Sequence, residues 1–319
     1  MSMASLNLTE PGRNGRIAVT PRSLSDGGHP ALQKLERAGY ELVYPSPGAV
    51  PNEDQIRAGV SECVGYLAGT ERLSGQVLED LTRLKAISRN GVGVDSIDVE
   101  AAERLGINVL TAPGANSQGV AELTIALILA GSRSIPWHDA QLKSGQWNRR
   151  PGNEVSGKVL GLIGCGQIGR RVATMALGLG MKVIAFDEYP VTSFAPSPDF
   201  SWAPRERVLS SSHVVSLHTP PSGQPVLGAA AIRLLQWGTG VINTARASLI
   251  DDEALLQALD SGQVEYLATD VFSSEPPAPS RLITHPRVIT TPHIGGYTKE
   301  SVDRATQAAV DNLLHALAT

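Results

Sequence analysis

The chain has 319 residues, which is long for a single domain and favours two domains that each bury a core. Hydrophobic residues make up 42% and charged residues 18%, a balance typical of a folded globular protein and not of a disordered one. The formal net charge of -4 argues against a nucleic-acid-binding protein, because phosphate binding needs a basic face.

Cysteine usage and hydropathy limit the other classes of protein. The two cysteines, Cys63 and Cys165, lie far apart without metal-ligand spacing, so we expect neither a disulfide framework nor a metal site. Residues 1–16 lack the apolar core of a signal peptide. The apolar stretch at residues 120–130 is interrupted by polar side chains and is shorter than the roughly 20 residues that span a bilayer. We therefore expect a cytoplasmic protein without a membrane partner.

The first part of the chain alternates two patterns. Short apolar runs predict strands, and the amphipathic segments between them predict helices. The predicted strands are residues 17–20, 41–44, 63–67, 85–88 and 107–110, and the predicted helices are residues 31–38, 52–59, 77–84 and 99–105. This alternation favours a parallel sheet with helices on both faces. A long helix is then predicted from about residue 117 to beyond residue 133, followed by a polar segment.

A second series of the same kind begins near residue 158. Its predicted strands are residues 158–163, 182–186, 214–217, 241–243, 266–269 and 288–290, and its predicted helices are residues 168–179, 228–235 and 252–260. The stretch 189–204 holds four prolines and little periodicity, so we predict a surface loop there. A final helix, predicted from about residue 298 to residue 318, is long enough to cap either domain.

A glycine motif opens this second series. Gly164, Gly166 and Gly169 form G-x-G-x-x-G directly after an apolar strand and directly before an amphipathic helix. Such glycines permit a tight turn, let a pyrophosphate approach the backbone and allow close helix packing. A structural glycine turn has the same letters, so the motif alone is weak evidence for a dinucleotide site.

The residue after the next strand strengthens this interpretation. Asp187 follows the strand about 20 residues beyond the glycines, where a carboxylate accepts hydrogen bonds from the ribose hydroxyls of NAD. A carboxylate there also repels the 2′-phosphate of NADP, and no Lys or Arg occurs at residues 183–204. The sequence therefore predicts NAD as the cofactor, although Asp187 could also simply end a strand.

Three candidate catalytic residues follow the later strands. Arg246, Glu275 and His293 each lie where a parallel strand should end, and open α/β sheets bind ligands at that edge. Each has an ordinary alternative: Arg246 could be a solvated cation, Glu275 a turn carboxylate and His293 a loop or core histidine. Their joint occurrence is the argument for function.

Several motifs, taken together, resemble those of the D-isomer-specific 2-hydroxyacid dehydrogenase family, which includes D-3-phosphoglycerate dehydrogenase-like enzymes. They occur in the family's order over most of the chain. The motifs are Asn90-Gly-Val-Gly-Val-Asp-Ser-Ile-Asp98, Pro113-Gly-Ala-Asn-Ser-Gln-Gly-Val-Ala-Glu122, Gly164-Cys-Gly-Gln-Ile-Gly169, Ser216-Leu-His-Thr-Pro220, Asn243-Thr-Ala-Arg246, Asp270-Val-Phe-Ser-Ser-Glu-Pro276 and Pro292-His-Ile-Gly-Gly296.

The resemblance implies a fold class and a domain division. The fold is α/β, with two Rossmann-like or flavodoxin-like doubly wound parallel-sheet domains and an active-site cleft between them. The substrate-binding domain is expected to comprise residues 1–115 and 296–319, and the NAD-binding Rossmann domain residues 116–295. The resemblance also implies a homodimer, built largely through the NAD domains. From the length of the chain we expect no C-terminal regulatory domain of the kind that many phosphoglycerate dehydrogenases carry.

The chemistry expected of such a protein assigns roles to the three candidate residues. Reduction of a 2-oxo acid needs a hydride from the nicotinamide and a proton from the protein. His293 suits proton donation, since imidazolium is an acid near neutral pH, and Glu275 would hold the ring and favour its charged form. Arg246 would bind the substrate carboxylate through its guanidinium fork.

The resemblance extends these roles to further residues. Backbone N–H groups of the first glycine loop would help to bind the substrate, and Asp270 would accept a hydrogen bond from the nicotinamide carboxamide. The substrate-binding candidates are Asn90, Gly91, Val92 and Gly93. The cofactor-binding candidates are Gly164, Gly166, Gln167, Ile168, Gly169, Asp187, His218, Thr219, Pro220, Thr244, Ala245, Asp270 and Gly295.

The identity of the acid is less constrained. Arg22 and Arg89 lie at positions of the substrate domain where they could face the cleft and bind a phosphate or phosphonate group. Both could equally be surface or packing residues. Ala247 and the segment Leu235-Gln-Trp-Gly-Thr-Gly240 depart from the common family pattern without touching the expected chemistry.

Two other functions fit the same resemblance. A formate dehydrogenase needs no proton donor, but the family members that act on formate carry glutamine where this chain has Glu275. An NAD(H)-sensing corepressor binds the cofactor and recruits peptides, and intact catalytic residues do not exclude that role. Cofactor binding without turnover would favour the sensing protein.

Overall fold

The computed structural model describes residues 12–318 and divides into two compact units. Unit 1 comprises the residues up to Asn116 together with those from Thr298, and unit 2 comprises Ser117–Tyr297. The expectation for residues 1–16 falls largely on residues 1–11, which lie outside the described residues.

The strands and α-helices of the described residues are numbered in chain order. The strands are β1 Arg16–Val19, β2 Glu41–Val43, β3 Cys63–Ala68, β4 Ala86–Arg89, β5 Asn108–Leu110, β6 Val159–Ile163, β7 Lys182–Phe186, β8 Phe200–Trp202, β9 Val214–Leu217, β10 Thr239–Asn243, β11 Val264–Thr269 and β12 Val288–Thr290. The helices are α1 Arg22–Ser25, α2 Gln33–Arg37, α3 Glu53–Val60, α4 Gly75–Asp80, α5 Val99–Arg104, α6 Ser117–Ser132, α7 Ile135–Lys143, α8 Gln167–Gly178, α9 Arg205–Ser211, α10 Ala229–Ile232, α11 Asp252–Ser261 and α12 Lys299–Ala318. Pro30–Leu32 and Ala247–Leu249 form short 3-10 helices.

Unit 1 is a five-stranded parallel sheet in the order β2-β1-β3-β4-β5. Apolar side chains cover both faces: Ile56, Val77 and Ala101 of α3, α4 and α5 lie in one core cluster. Leu35 of α2 and Leu313 of α12 lie in the other. The last helix therefore packs on the first sheet, which settles the alternative that the sequence left open.

Unit 2 is a seven-stranded parallel sheet in the order β12-β11-β10-β9-β6-β7-β8. Strands β7 and β8 extend to one side of β6, and strands β9 to β12 extend to the other side. The chain thus reverses its direction across the sheet between β6 and β9, and open α/β sheets bind ligands at such a switch point. The predicted fold class, two doubly wound parallel α/β units, is confirmed.

Local sequence signals explain where several helices begin and end. The Asn52 side chain accepts from Gln55 N at 2.9 Å, and the Gln55 side chain accepts from Asn52 N at 3.0 Å, which forms a capping box for α3. Asp251 caps the start of α11 through a hydrogen bond from Ala254 N, and Gly262 caps its end with a φ of 85°, a conformation that favours glycine.

Two local predictions were wrong. The stretch predicted as a loop contains β8, an edge strand in which Phe200 packs edge-on against Phe194 and Trp202, with ring centroids 5.1 and 5.3 Å away. The helix predicted to run beyond residue 133 ends at Ser132. Ser134 has a φ of 51°, and α7 restarts with Pro136 in its first turn, where the missing N–H of proline is tolerated.

The length and hydropathy of the helices decide whether any of them could span a membrane. Among the described residues no single helix is long and apolar enough to cross a bilayer. Helices α6 and α7 together reach the required length and hydropathy, but the chain bends by 63° between them.

Candidate functional site

The loops that follow the strands of unit 2 lie at one edge of the sheet. Because neighbouring strands are parallel, their carboxyl ends point the same way. Segments 164–169, 218–220, 244–246, 270–275 and 291–295 follow β6, β9, β10, β11 and β12 respectively. The candidate residues of unit 2 therefore come from adjacent loops at this edge.

The glycine loop has the geometry of a dinucleotide-binding turn. Gly164 has a φ of 91°, and a Cβ atom there would lie 2.5 Å from His218 O. A Cβ on Gly169 would lie 2.4 Å from Gly164 O, so the helix packs closely against the turn. Beside Gly166, by contrast, a Cβ would meet nothing within 4 Å.

The start of α8 leaves room and donors for an anion. Gly166 is the N-cap of the helix, and no side chain caps it. The first N–H groups of a helix lack partners within the helix and carry the positive end of its dipole. Open space beside Gly166, together with these donors, fits the pyrophosphate of a dinucleotide.

Asp187 joins the glycine loop to the end of β7. Its Oδ2 accepts a hydrogen bond from Cys165 N at 2.7 Å, and its Oδ1 accepts from Tyr189 N at 2.9 Å. Each carboxylate oxygen has a second lone pair, so the side chain can still accept from a ribose hydroxyl. The sequence did not suggest the contact with Cys165.

His218 follows β9 and lies next to Gly164. Its Nε2 is 2.9 Å from the buried Ser216 Oγ. Burial disfavours the charged ring and lowers the pKa of His218 to about 4. The ring is therefore neutral near pH 7, and Thr219 and Pro220 continue the chain past the glycine loop.

The turn after β10 carries Arg246. Asn243, which is 1% exposed, donates from Nδ2 to Arg246 O at 2.9 Å and accepts at Oδ1 from Ala245 N at 3.1 Å. Thr244 Oγ1 lies 3.0 Å from Thr124 Oγ1 of α6. The Arg246 guanidinium donates from Nη1 to Ala245 O at 2.8 Å.

Asp270 is a buried carboxylate that holds the loop after β12. It is 1% exposed and accepts from Thr291 Oγ1 at 2.6 Å, from Ile294 N at 2.8 Å and from Gly295 N at 2.8 Å. A buried carboxylate needs such partners, because burial without them is very unfavourable. Its observed partners belong to the loop of His293, whereas the sequence suggested a contact with the cofactor.

His293 and Glu275 form a pair. His293 Nδ1 lies 2.8 and 2.7 Å from the two carboxylate oxygens of Glu275. Both side chains reach solvent, at 50% and 39% exposure. His293 has a φ of 52°, a left-handed conformation that is uncommon outside glycine and that occurs at functional sites. The pairing uses Nδ1, so Nε2 is the ring nitrogen that does not contact Glu275.

The candidate residues of unit 1 lie at or just after the ends of β1 and β4. Arg22 Nε donates to Gly48 O at 3.3 Å, and Arg89 Nη1 donates to Asn90 O at 3.0 Å. Asn90 Oδ1 accepts from Thr306 Oγ1 of α12 at 3.3 Å. The loop Gly91, Val92 and Gly93 comes next, and Val92 is 39% exposed. The substrate role of these residues remains a prediction.

Two buried polar residues have contacts that the sequence did not predict. Asn243 and Asp270 both belong to the motifs, but no role was expected of Asn243 and a different one was expected of Asp270. A buried polar side chain at a strand end was the available signal, since such a group must find partners.

Comparisons with known proteins agree with this geometry. Residues 125–295 match the model of the D-isomer specific 2-hydroxyacid dehydrogenase, NAD binding domain. D-3-phosphoglycerate dehydrogenase of Bacillus subtilis (strain 168) is 40% identical over 295 residues, covering 90% of this chain and 54% of that protein. The Sus scrofa protein of the same name is 36% identical over 286 residues, covering 88% and 51%.

These curated relatives are longer, and the chain spans about half their length. A solved structure of similar size is the TT0316 protein from Thermus thermophilus. It is 32% identical with a TM-score of 0.85, and the match covers 95% of this chain and 97% of that one.

Proposed function

The chain belongs to the D-isomer-specific 2-hydroxyacid dehydrogenase family, with an NAD-binding domain over most of unit 2, and from this premise we propose that it interconverts a small 2-oxo acid and its D-2-hydroxy acid. The observation that carries the proposal is the contact of His293 Nδ1 with the Glu275 carboxylate at 2.7 Å. A histidine held by a carboxylate at one ring nitrogen is a proton donor and acceptor at the other.

The cofactor site that we propose uses the carboxyl edge of β6, β7 and β9. Bound NADH supplies a hydride to the carbonyl carbon of the acid. We assign the pyrophosphate to Gly164, Gly166 and Gly169 with the N–H groups of Gln167 and Ile168, and the adenosine ribose to Asp187. The remaining proposed cofactor contacts are His218, Thr219, Pro220, Thr244, Ala245, Asp270 and Gly295.

Proton transfer follows from the same pair. During reduction the carbonyl oxygen gains negative charge, and a proton on His293 Nε2 neutralises it. Glu275 keeps the ring oriented and stabilises the positive charge that the ring carries before it gives up the proton. During oxidation of a hydroxy acid the neutral ring accepts the hydroxyl proton at the same atom.

Binding of the substrate carboxylate is assigned to Arg246. A guanidinium offers two parallel N–H donors that match a carboxylate, and the turn after β10 presents this side chain at the same edge as His293. In unit 1 we propose a substrate role for Asn90, Gly91, Val92 and Gly93, in which the backbone N–H groups of Val92 and Gly93 donate to the substrate carboxylate. Unit 1 is accordingly proposed as the substrate-binding domain.

An extra anionic group on the acid is a further element of this proposal. Arg22 and Arg89 are the two candidate cations for a phosphate or phosphonate. We expect Arg22→Ala and Arg89→Ala to raise KM for a phosphorylated 2-oxo acid at least about tenfold more than for glyoxylate, as lost charge-assisted hydrogen bonds require. An equal change in KM for both acids would show that the two arginines do not select a phosphorylated substrate.

We also propose that the protein is a homodimer. Helix α7 and the segment after it expose Ile135 at 53%, Leu142 at 61% and Trp147 at 77%. Exposed apolar patches mark contact surfaces, and a second copy of this chain fits this one because the family resemblance predicts a dimer through the NAD domains. Sedimentation should show that Leu142→Lys weakens the dimer while Leu234→Lys, on another surface, does not. A monomeric wild type would contradict this.

The cytoplasmic location expected from the sequence stays a prediction. Cys63 and Cys165 are both buried free thiols. Burial raises the pKa of Cys63 to about 11 and that of Cys165 to about 12, so neither is a reactive thiolate near neutral pH. Unreactive, unpaired cysteines are compatible with a reducing compartment.

The deciding experiment follows NADH absorbance against a panel of 2-oxo acids: glyoxylate, pyruvate, hydroxypyruvate, 3-phosphohydroxypyruvate, 2-oxoglutarate and phosphonopyruvate. We expect turnover on at least one acid, abolished by His293→Ala and kept by His315→Ala on the exposed side of α12. NADH binding with no turnover on any acid would contradict the proposal and favour the NAD(H)-sensing protein.

A further inference from the structure

Asn243 is a buried side chain to which the proposed chemistry assigns nothing. It is the last residue of β10 and is 1% exposed. Both ends of its carboxamide contact the turn that follows. Nδ2 donates to Arg246 O at 2.9 Å, and Oδ1 accepts from Ala245 N at 3.1 Å. One side chain thus closes the turn that carries Arg246.

These two hydrogen bonds fix the backbone on both sides of Arg246. Ala245 N belongs to a peptide group before Arg246, and Arg246 O belongs to the peptide group after it. Between them lies Ala245 O, which accepts from Arg246 Nη1 at 2.8 Å. The direction of the guanidinium therefore depends on a backbone conformation that Asn243 holds.

The backbone of Asn243 connects this turn to the loop of His293. Asn243 O accepts from Asp270 N at 3.0 Å and from Thr269 Oγ1 at 3.3 Å. The Asp270 carboxylate in turn accepts from Ile294 N and Gly295 N, both at 2.8 Å. Hydrogen bonds and short backbone segments together connect the turn of Arg246 to the loop that carries His293.

We propose that Asn243 is a positioning residue that directs Arg246 toward the substrate carboxylate. This inference rests on the proposed function, because it concerns the same carboxylate. Arg246 binds the carboxylate before and during hydride transfer alike, so a misdirected guanidinium weakens both states equally. Loss of such uniform binding raises KM and leaves kcat nearly unchanged. The same turn carries Thr244 and Ala245, which are proposed cofactor contacts, so the Kd for NADH is measured beside KM.

The test compares two variants with a matched control. Asn243→Ala removes the carboxamide, and Asn243→Asp keeps its size and its acceptor but replaces the donor to Arg246 O with an oxygen. Thr239→Val is the control: Thr239 begins the same strand, is 1% exposed and loses hydrogen bonds to Gln236 O and Ser212 O. We expect both Asn243 variants to raise KM about tenfold or more, as the loss of two buried hydrogen bonds implies, with kcat within about threefold.

Amide hydrogen exchange of the peptide covering residues 244–250 supplies a readout that does not need turnover. We expect faster exchange in both Asn243 variants and unchanged exchange, KM and NADH Kd in Thr239→Val. Unchanged KM in both Asn243 variants, or an equal rise in Thr239→Val, would overturn the positioning role. If the wild type reduces no acid while the Asn243 variants still speed exchange, the proposed function has failed and the structural contact alone survives.

Discussion

A substitution at Gly166 should weaken cofactor binding without changing the stability of the fold. A Cβ on this glycine would meet nothing within 4 Å, so Gly166→Ala fills only the space beside the start of α8. The same is true of Gly178 at the other end of that helix. Gly166→Ala should therefore leave the folded protein intact and occupy the volume that the pyrophosphate needs. Gly178→Ala should leave that volume open.

The magnitude follows from the hydrogen bonds at stake. A methyl group beside the first N–H groups of α8 moves the pyrophosphate away from them. Hydrogen bonds to charged groups contribute about 1.5 to 3 kcal/mol each, so losing one or two is worth about 3 kcal/mol. Since about 1.4 kcal/mol changes an equilibrium tenfold, the Kd for NADH should rise about 150-fold. The free energy of unfolding should change by less than about 1 kcal/mol.

Two assays check this prediction. NADH fluorescence titration gives the Kd, and thermal unfolding without cofactor gives Tm, which should stay within about 3 °C of the wild-type value. Gly178→Ala is the control and should bind NADH normally, with a slightly raised Tm because alanine favours helix more than glycine does. If Gly166→Ala binds NADH within about threefold of wild type, the assignment of the pyrophosphate to this turn is wrong.

Three further predictions concern packing, pH and catalysis. Gly131→Ala should lower the free energy of unfolding, measured with denaturant, by about 3 kcal/mol. Its Cβ would lie within 2.5 Å of three atoms of the buried Tyr266 ring. A decrease of less than about 1 kcal/mol would mean that the ring moves aside. Burial lowers the pKa of His218 to about 4 from 6.5, so the unfolded chain binds the proton first as pH falls, and stability is lost across this window. Between about pH 6.5 and pH 4, Tm should therefore fall less steeply with pH in His218→Asn than in the wild type. The same dependence of Tm on pH in both proteins would refute the lowered pKa of His218. Glu275→Gln keeps an acceptor for His293 but removes the charge, so kcat should fall about tenfold or more with NADH Kd unchanged; an unaltered kcat would exclude the charge from catalysis.

The parts of the site that sequence could predict are those fixed by local chain chemistry. A G-x-G-x-x-G between strand and helix has few possible geometries, and the positive φ of Gly164 is one that glycine supplies. Strand–helix alternation likewise predicted the parallel sheets, because each pattern repeats over several residues. The family drawn from the motifs and its NAD-binding domain are confirmed.

Elements that depend on contacts between distant residues could not be predicted from the sequence. Strand β8 follows a proline-rich stretch without visible alternation, and aromatic packing stabilises it. The bend at Ser134 depends on a single backbone conformation. A polar residue at a strand end can face either the cofactor or a neighbouring loop, so the sequence could place Asp270 at the site without identifying its partners.

The double contact of Asp187 bears on attempts to change the cofactor from NAD to NADP. The obvious substitution replaces this carboxylate with a neutral or basic side chain to admit a 2′-phosphate. Asp187 also accepts the Cys165 N–H in the middle of the glycine loop, so its removal leaves that donor without its acceptor. A redesigned protein would thus bind the pyrophosphate more weakly, although it could accommodate the 2′-phosphate of NADP. A successful switch requires a second substitution that restores an acceptor to Cys165 N.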